Sequence, residues 1–176
     1  MADHEYAVTA IGVDRPGIVA AVAGALVEVG GNVEDSAMTI LGGHFAIVLL
    51  VATDASAAAL EAALVDATVD LGLTISVNPI AVDESGARAP RPTHVLSVYG
   101  ADKPGILAGI TAAIADAGAN VTDLQTRVLS PDTNPVYAMV IEVVASDEAT
   151  LANGLDEASD ALGVDHTLRE LHAETY

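Results

Sequence analysis

The sequence predicts an α+β fold made of two ferredoxin-like β-α-β-β-α-β units, each a four-stranded antiparallel sheet with both helices on one face. The first observation behind this prediction is a repeat: the segment 14–18, Asp-Arg-Pro-Gly-Ile, returns 88 residues later at 102–106 as Asp-Lys-Pro-Gly-Ile. At this offset, ten of the 22 residues from 14 to 35 are identical to their counterparts. The second observation is the order of apolar patterns within each copy, which alternates between strand and helix spacing.

The repeat divides the chain into a first module over residues 1–82, a linker over 83–92 and a second module over 93–176. The linker is rich in proline, glycine and charged residues, a composition typical of connecting segments. Past the first hairpin the offset grows from 88 to 92, so the second module carries four additional residues near 130–135. We interpret this insertion as a longer hairpin loop.

In the first module, the predicted strands cover residues 6–13, 33–41, 44–52 and 73–80. The Pro16-Gly17 pair opens a helix whose apolar residues recur at helical spacing, and two glycines at 30–31 end it. This apolar stripe consists of Ile18, Val22, Leu26 and Val29. A second helix begins after Ser56, which we expect to cap it. The glycine pair at 42–43 lies between two strand patterns and predicts a tight hairpin.

Composition and charge exclude several classes of function. The chain is 52% hydrophobic but only 3% aromatic, and 25 acidic against 6 basic residues give it a net charge of −19. Such a field repels phosphate and stacking aromatics are scarce, so direct binding of DNA or RNA is not expected. The acidic bias is also compatible with a salt-adapted source. No apolar run is long enough to cross a membrane and no targeting pattern is present, so we expect a cytoplasmic protein.

The repeated turn is the strongest candidate for a binding site. It connects the first strand of each module to the first helix, and a helix N-terminus offers unpaired N–H groups and partial positive charge to a carboxylate. Gly17 and Gly105 let a ligand approach this backbone closely. Asp14 and Asp102 have two interpretations: they accept hydrogen bonds from a ligand's ammonium group, or they cap the helix.

Asn32 and Asn120 form a second pair of candidates, located where each module leaves its first helix for its second strand. Because a side-chain amide both donates and accepts hydrogen bonds, it complements the ammonium and carboxylate of an amino acid. The alternative is a plain turn residue, since asparagine is common in turns. Recurrence beside the same turn in both modules favours the binding interpretation.

The turn and the segment 30–35, Gly-Gly-Asn-Val-Glu-Asp, resemble the ACT domain family in both copies. Two ACT modules without an attached enzyme are similar to the glycine cleavage system transcriptional repressor family. The resemblance implies a regulatory protein that is not an enzyme. We expect two modules to pair, within one chain or across a homodimer, and the free sheet edge of each module favours a homo-oligomer. The resemblance also implies binding of an amino acid, glycine or serine by analogy, at a module interface, and action through a transcription factor or enzyme partner. The ligand-binding residues carried over by position are Asp14, Arg15, Pro16, Gly17, Ile18, Asn32, Val33, Asp102, Lys103, Pro104, Gly105, Ile106, Asn120 and Val121.

Catalytic residues, metals and cofactors are not predicted. The five histidines lack metal-ligand spacing, the chain has no cysteine, and no serine stands in a nucleophile motif. Two alternatives stay open: an acylphosphatase-like hydrolase of similar fold, for which Arg15 and Asn32 offer matching residue types, and a ligand-free interaction scaffold. Lys103 replaces the arginine in the second copy, and a lysine does not reproduce a guanidinium fork, which weakens the hydrolase interpretation.

Overall fold

The computed structural model describes residues 4–80, 90–129 and 135–171. The chain divides between residues 87 and 88 into two compact units, called module 1 and module 2 below. The linker over 83–92 and the insertion over 130–135 fall largely outside the described residues, so their conformations and the exact module boundaries stay predictions. No helix within the described ranges is long and apolar enough to span a membrane.

Module 1 has the predicted order of elements. They are β1 (His4–Val13), α1 (Ile18–Glu28), β2 (Asn32–Leu41), β3 (His44–Thr53), α2 (Ala57–Thr68) and β4 (Thr74–Ile80), with a short 3-10 helix at Val69–Leu71. The strands form one antiparallel sheet in the order β2-β3-β1-β4. The predicted ferredoxin-like fold is therefore confirmed for this module.

Module 2 repeats the same architecture. Its elements are β5 (His94–Ala101), α3 (Ile106–Asp116), β6 (Asn120–Leu129), β7 (Val136–Val144), α4 (Glu148–Leu162) and β8 (Asp165–Glu170). The sheet order is β6-β7-β5-β8, and all pairings are antiparallel. Both copies of the sequence repeat thus fold in the same way.

The core of each module lies between one face of its sheet and the two helices. In β1 every second residue from Tyr6 to Ala10 is buried, because successive side chains of a strand point to opposite faces. The predicted stripe of α1 is buried from Ile18 to Leu26, whereas Val29 lies past the helix end and is half-buried. Module 2 buries the same helix faces, through Ile106, Ile110, Ile114, Leu151 and Leu155.

Local signals begin and end these elements as the sequence predicts. Ser56 caps α2, because its hydroxyl accepts a hydrogen bond from the Ala59 N–H at 3.3 Å. The hairpin between β2 and β3 turns at the predicted glycine pair. In module 2 the cap of α4 is Asp147, whose carboxylate accepts from the Thr150 N–H at 3.0 Å. The two modules therefore use different chemical groups to cap equivalent helices.

The strand β2 is an uncovered edge of the module 1 sheet. It pairs only with β3, and all ten of its residues are exposed, because the core lies under β1, β3 and β4. In module 2, β6 occupies the equivalent edge, and only Val121 on it is half-buried. An edge of this kind presents unpaired backbone N–H and C=O groups with which another strand can pair.

Candidate functional site

The repeated turn leads directly into the first helix of each module through a glycine. Gly17 is the N-cap residue of α1 with φ 95°, and Gly105 is the N-cap of α3 with φ 97°. A β carbon added at either position would meet no atom within 4 Å. The left-handed backbone therefore explains the glycine, and the space beside it is open. Asp14, Arg15 and Pro16 are likewise exposed.

Both helices begin without a side-chain cap among the described residues. The N-cap position is occupied by glycine, so the interpretation of Asp14 and Asp102 as helix caps is wrong. Neither helix has an acidic residue in its first turn. Within the described residues, no side chain therefore caps the N–H groups of that turn, where the helix carries partial positive charge.

Backbone hydrogen bonds hold the turn against the hairpin of the same module. The Asp14 N–H donates to the carbonyl of Gly43 at 2.9 Å, and the Asp102 N–H donates to the carbonyl of Pro135 at 3.4 Å. Leu41, the last residue of β2, pairs with His44 beside this hairpin. The turn therefore lies at the end of the sheet where β2 finishes.

Asn32 lies at the opposite end of the module from this turn. It opens β2 and pairs with Ala52, and the 11 residues of α1 separate it from Gly17, a helix length of about 16 Å. Asn120 is placed in the same way, opposite Val144. One module alone does not bring its turn and its asparagine together. The same separation applies to Arg15 and Asn32, which weakens the acylphosphatase alternative further.

The asparagines differ in their immediate surroundings. The Asn32 amide donates to a carboxylate oxygen of Glu34 at 2.6 Å. In module 2 the equivalent of Glu34 is Thr122, whose hydroxyl donates to the carbonyl of Glu142 at 3.2 Å. No acceptor for the Asn120 amide is found within the described ranges. The two candidate sites are thus chemically distinct although the backbone around them is repeated.

The residue after the Asn-Val pair is displaced by a β-bulge in both modules. Val33 pairs with Val51 and Asp35 with Leu50, which leaves Glu34 without a partner on β3. Val121 and Asp123 flank the same irregularity, so Thr122 is the bulged residue of β6. Bulges re-aim side chains and are common next to functional sites. Sequence reasoning placed Glu34 in the family motif but did not select it as a site residue.

Arg15 and Lys103 occupy equivalent places in the turn but have different surroundings. The Lys103 ammonium lies 3.9 Å from the position that a β carbon on Gly163 would take. Gly163 ends α4, and the C-terminus of a helix carries partial negative charge that attracts a cation. Arg15 forms no ion pair with any other described residue. Lys103, which likewise forms no ion pair within the described ranges, differs from Arg15 in lying near the C-terminal end of α4.

The remaining predicted site residues divide between core and surface. Ile18 and Ile106 are each 2% exposed and belong to the module cores, so their side chains are not accessible to a ligand. Val33 is 42% exposed on β2. The described residues contain no group of three or more side chains arranged to hold a metal ion.

The fold and the turn together define the class of protein: two ferredoxin-like modules in tandem, each with an exposed, uncapped helix N-terminus at the same place. The chain belongs to the ACT domain family, whose model matches residues 5–78 and 93–168. The resemblance inferred from the two copies of the motif is therefore confirmed, and it extends over both modules.

Relatives of similar length share this tandem organisation. The chain is 28% identical over 162 residues to the glycine cleavage system transcriptional repressor of Escherichia coli (strain K12), covering 90% of this chain and 84% of the relative. A solved structure of an unknown protein from Galdieria sulphuraria is 30% identical, with a TM-score of 0.80 and coverage of 96% of this chain and 99% of that chain. A second solved structure is that of a putative glycine cleavage system transcriptional repressor. It is 21% identical, with a TM-score of 0.67 and coverage of 96% of this chain and 97% of that chain, and it supports the fold.

Proposed function

We propose that this chain is a regulatory protein that binds an amino acid between two paired modules and transmits the binding through contacts with a protein partner. In this proposal each site combines the turn of one module with the asparagine of the equivalent module in a second chain. The observation that carries it is the placement of turn and asparagine at opposite ends of an uncovered edge strand.

Antiparallel pairing of two such edges would assemble the site. In an antiparallel pair, the first residue of one strand lies beside the last residue of the other. Asn32 begins β2, and Leu41 ends it next to the hairpin that holds Asp14. Pairing two copies of β2 would therefore bring Asn32 of each chain close to the turn of its partner, and the edge strand would gain the hydrogen bonds that it lacks.

The chemistry of the two parts fits the two ends of an amino acid. The uncapped N-terminus of α1, with Arg15 beside it, suits a carboxylate. Asn32 and the carboxylate of Asp14 provide acceptors for an ammonium group, which has three donors and no acceptor. Gly17 and Gly105 leave the backbone open to the ligand. Val33 and Val121 would line the apolar side of the site.

The regulatory step would follow from the ligand's preference for the paired arrangement. A ligand that bridges two modules stabilises the orientation in which it binds, by an amount set by its difference in affinity between the two states. The net charge of −19 disfavours direct contact with DNA. A transcription factor or an enzyme is therefore the proposed reader. Similarity to the Escherichia coli repressor supports a role in glycine or serine metabolism.

A thermal-shift screen against the twenty amino acids, each at millimolar concentration, tests this proposal. A ligand that binds the native state raises its stability in proportion to the logarithm of its concentration. We expect a selective shift for one or two amino acids, which disappears in the double variant Asn32→Ala with Asn120→Ala. The matched control is Asn78→Ala on β4, an exposed asparagine bonded only to Ser76 among the described residues, which should retain the shift. No shift with any amino acid would contradict the proposal and favour a ligand-free scaffold.

A further inference from the structure

The bulged residues Glu34 and Thr122 give the two candidate sites different charges. Glu34 is an exposed carboxylate bonded to Asn32 at 2.6 Å, and Thr122 is a neutral residue whose hydroxyl is already bonded to the backbone of β7. Both follow an Asn-Val pair at the same bulge. The backbone at the bulge is therefore the same in both modules, and only the side chain of the bulged residue differs.

We propose that Glu34 makes the module 1 site selective for ligands with an ammonium group, whereas the module 2 site, with Thr122, also accepts a 2-hydroxy acid of the same side chain. This inference rests on the function proposed above. It adds a specificity-determining residue and a difference in ligand class between the two sites.

Hydrogen-bond capacity explains the selectivity of module 1. The Asn32 amide donates one of its two hydrogens to Glu34, so the pair presents one remaining N–H donor against several acceptors, namely the Asn32 carbonyl oxygen and the negatively charged Glu34 carboxylate. An ammonium group offers only donors, and its hydrogen bond to a carboxylate is charge-assisted. A 2-hydroxy acid keeps the negative carboxylate but has no positive charge, so it would be repelled by Glu34 in a chain that is already strongly acidic.

The neutral site in module 2 lacks this repulsion. The Thr122 hydroxyl donates within its own sheet, and Asn120 offers both a donor and an acceptor to a ligand. A hydroxyl group, which also donates and accepts, satisfies such an amide as well as an ammonium group does. Asp14 and Asp102 are identical in the two turns, and Arg15 and Lys103 are both cations, so neither pair accounts for a difference in ammonium recognition.

Isothermal titration calorimetry on the full chain tests the inference. The probes are the amino acid with the largest shift in the screen above and the 2-hydroxy acid that carries the same side chain. For the unmodified chain we expect two amino-acid sites per chain but one hydroxy-acid site. Glu34→Thr should weaken amino-acid binding at one site by about ten- to a hundredfold, the loss of one charge-assisted bond, and should add a second hydroxy-acid site. Thr122→Glu should remove the existing hydroxy-acid site.

Each substitution places in one module the residue that the other already accommodates at the same bulge, so folding should be preserved. The control Glu61→Gln removes one exposed acid from α2 and should change neither stoichiometry. Equal stoichiometry for both probes in the unmodified chain, or an unchanged preference in both variants, would overturn the inference while leaving amino-acid binding intact. If no amino acid binds the unmodified chain, the proposed function itself fails, and that result is distinct from loss of selectivity.

Discussion

Module 1 and module 2 share a backbone but not the surface around the candidate site. The N-cap glycines have φ values of 95° and 97°, and the bulge falls at the same place in β2 and β6. By contrast, Glu34 stands where module 2 has Thr122, and Ser56 caps the helix that Asp147 caps in module 2. The two modules therefore agree in backbone conformation at the turn and the bulge, and they differ in the side chains at the bulge and at one helix cap.

The largest effect is expected at the glycines that precede the turn. A β carbon on Gly100 would lie 2.6 Å from Val164 Cγ1 and 3.1 Å from its β carbon, whereas one on Gly12 would meet the flexible end of Leu73 at 2.6 Å and the Gly72 carbonyl oxygen at 3.2 Å. Val164 is β-branched and cannot rotate away easily. Gly100→Ala should therefore lower the free energy of unfolding of module 2 by about 2–3 kcal/mol, and Gly12→Ala that of module 1 by about 1–2 kcal/mol. Amide hydrogen exchange, followed separately in the peptides of each module, measures both values.

A third glycine provides the control for this pair. Gly24 lies within α1, and a β carbon added there would meet nothing within 4 Å. Gly24→Ala should raise the stability of module 1 by about 0.5–1 kcal/mol, because alanine favours a helix more than glycine. Equal costs for Gly12→Ala and Gly100→Ala would contradict the prediction that the β-branched Val164 makes the module 2 substitution the more costly one.

The sequence predicted the fold because its signals were local and occurred twice. Ser56 before an apolar helix pattern and the glycine pair between two strand patterns each specify a structure within a few residues. Gly12 carried no such signal, since its requirement for glycine depends on Leu73, which is distant in sequence. Glu34 was also missed, because a bulge is defined by pairing with β3 and not by the sequence of β2 alone.

Features of the candidate site that depend on residues distant in the sequence could not be predicted either. The turn and the asparagines were selected from their repetition, and the helix length that separates them was already implied by the predicted elements. The position of Lys103 near the end of α4 could not be predicted, because Lys103 and Gly163 are 60 positions apart and share no sequence pattern. The absence of a side-chain cap at α1, within the described residues, likewise required the backbone angles of Gly17.

The second prediction concerns a feature on which the modules agree. Alanine at Gly17 or Gly105 would have to adopt a positive φ, which costs an L-residue about 1–2 kcal/mol. Because the two φ values differ by only 2° (97 minus 95), we expect the two substitutions to destabilise their own modules equally. Amide hydrogen exchange in the peptides of each module measures the loss of stability caused by each substitution. A clearly larger loss of unfolding free energy in one module would show that the two turns are not equivalent. The positive φ would then not be the sole reason why glycine recurs at this position.

The third prediction separates the roles of the two cations. Lys103→Ala should destabilise module 2 by about 0.3–1 kcal/mol, because it removes a positive charge from the C-terminal end of α4. Arg15→Ala should leave the stability of module 1 unchanged and instead weaken binding of the amino acid found in the screen. Urea denaturation and calorimetry measure the two effects. Loss of stability with Arg15→Ala, without loss of binding, would assign Arg15 a structural role like that of Lys103.

The smallest expected effect is a pH dependence of helix capping. The Asp147 cap of α4 should depend on pH, and the Ser56 cap of α2 should not. Hydrogen bonds from the Thr150 backbone and hydroxyl lower the pKa of Asp147 below its usual value of 3.8. A carboxyl group with a lowered folded pKa stabilises the protein above its unfolded pKa, and this contribution is lost as the pH falls below about 4. Ser56 does not titrate, so acidification should shift the NMR signal of the Thr150 amide but not that of Ala59. Asp147→Ser should abolish the difference, whereas parallel changes in both amides of the unmodified chain would indicate general unfolding by acid.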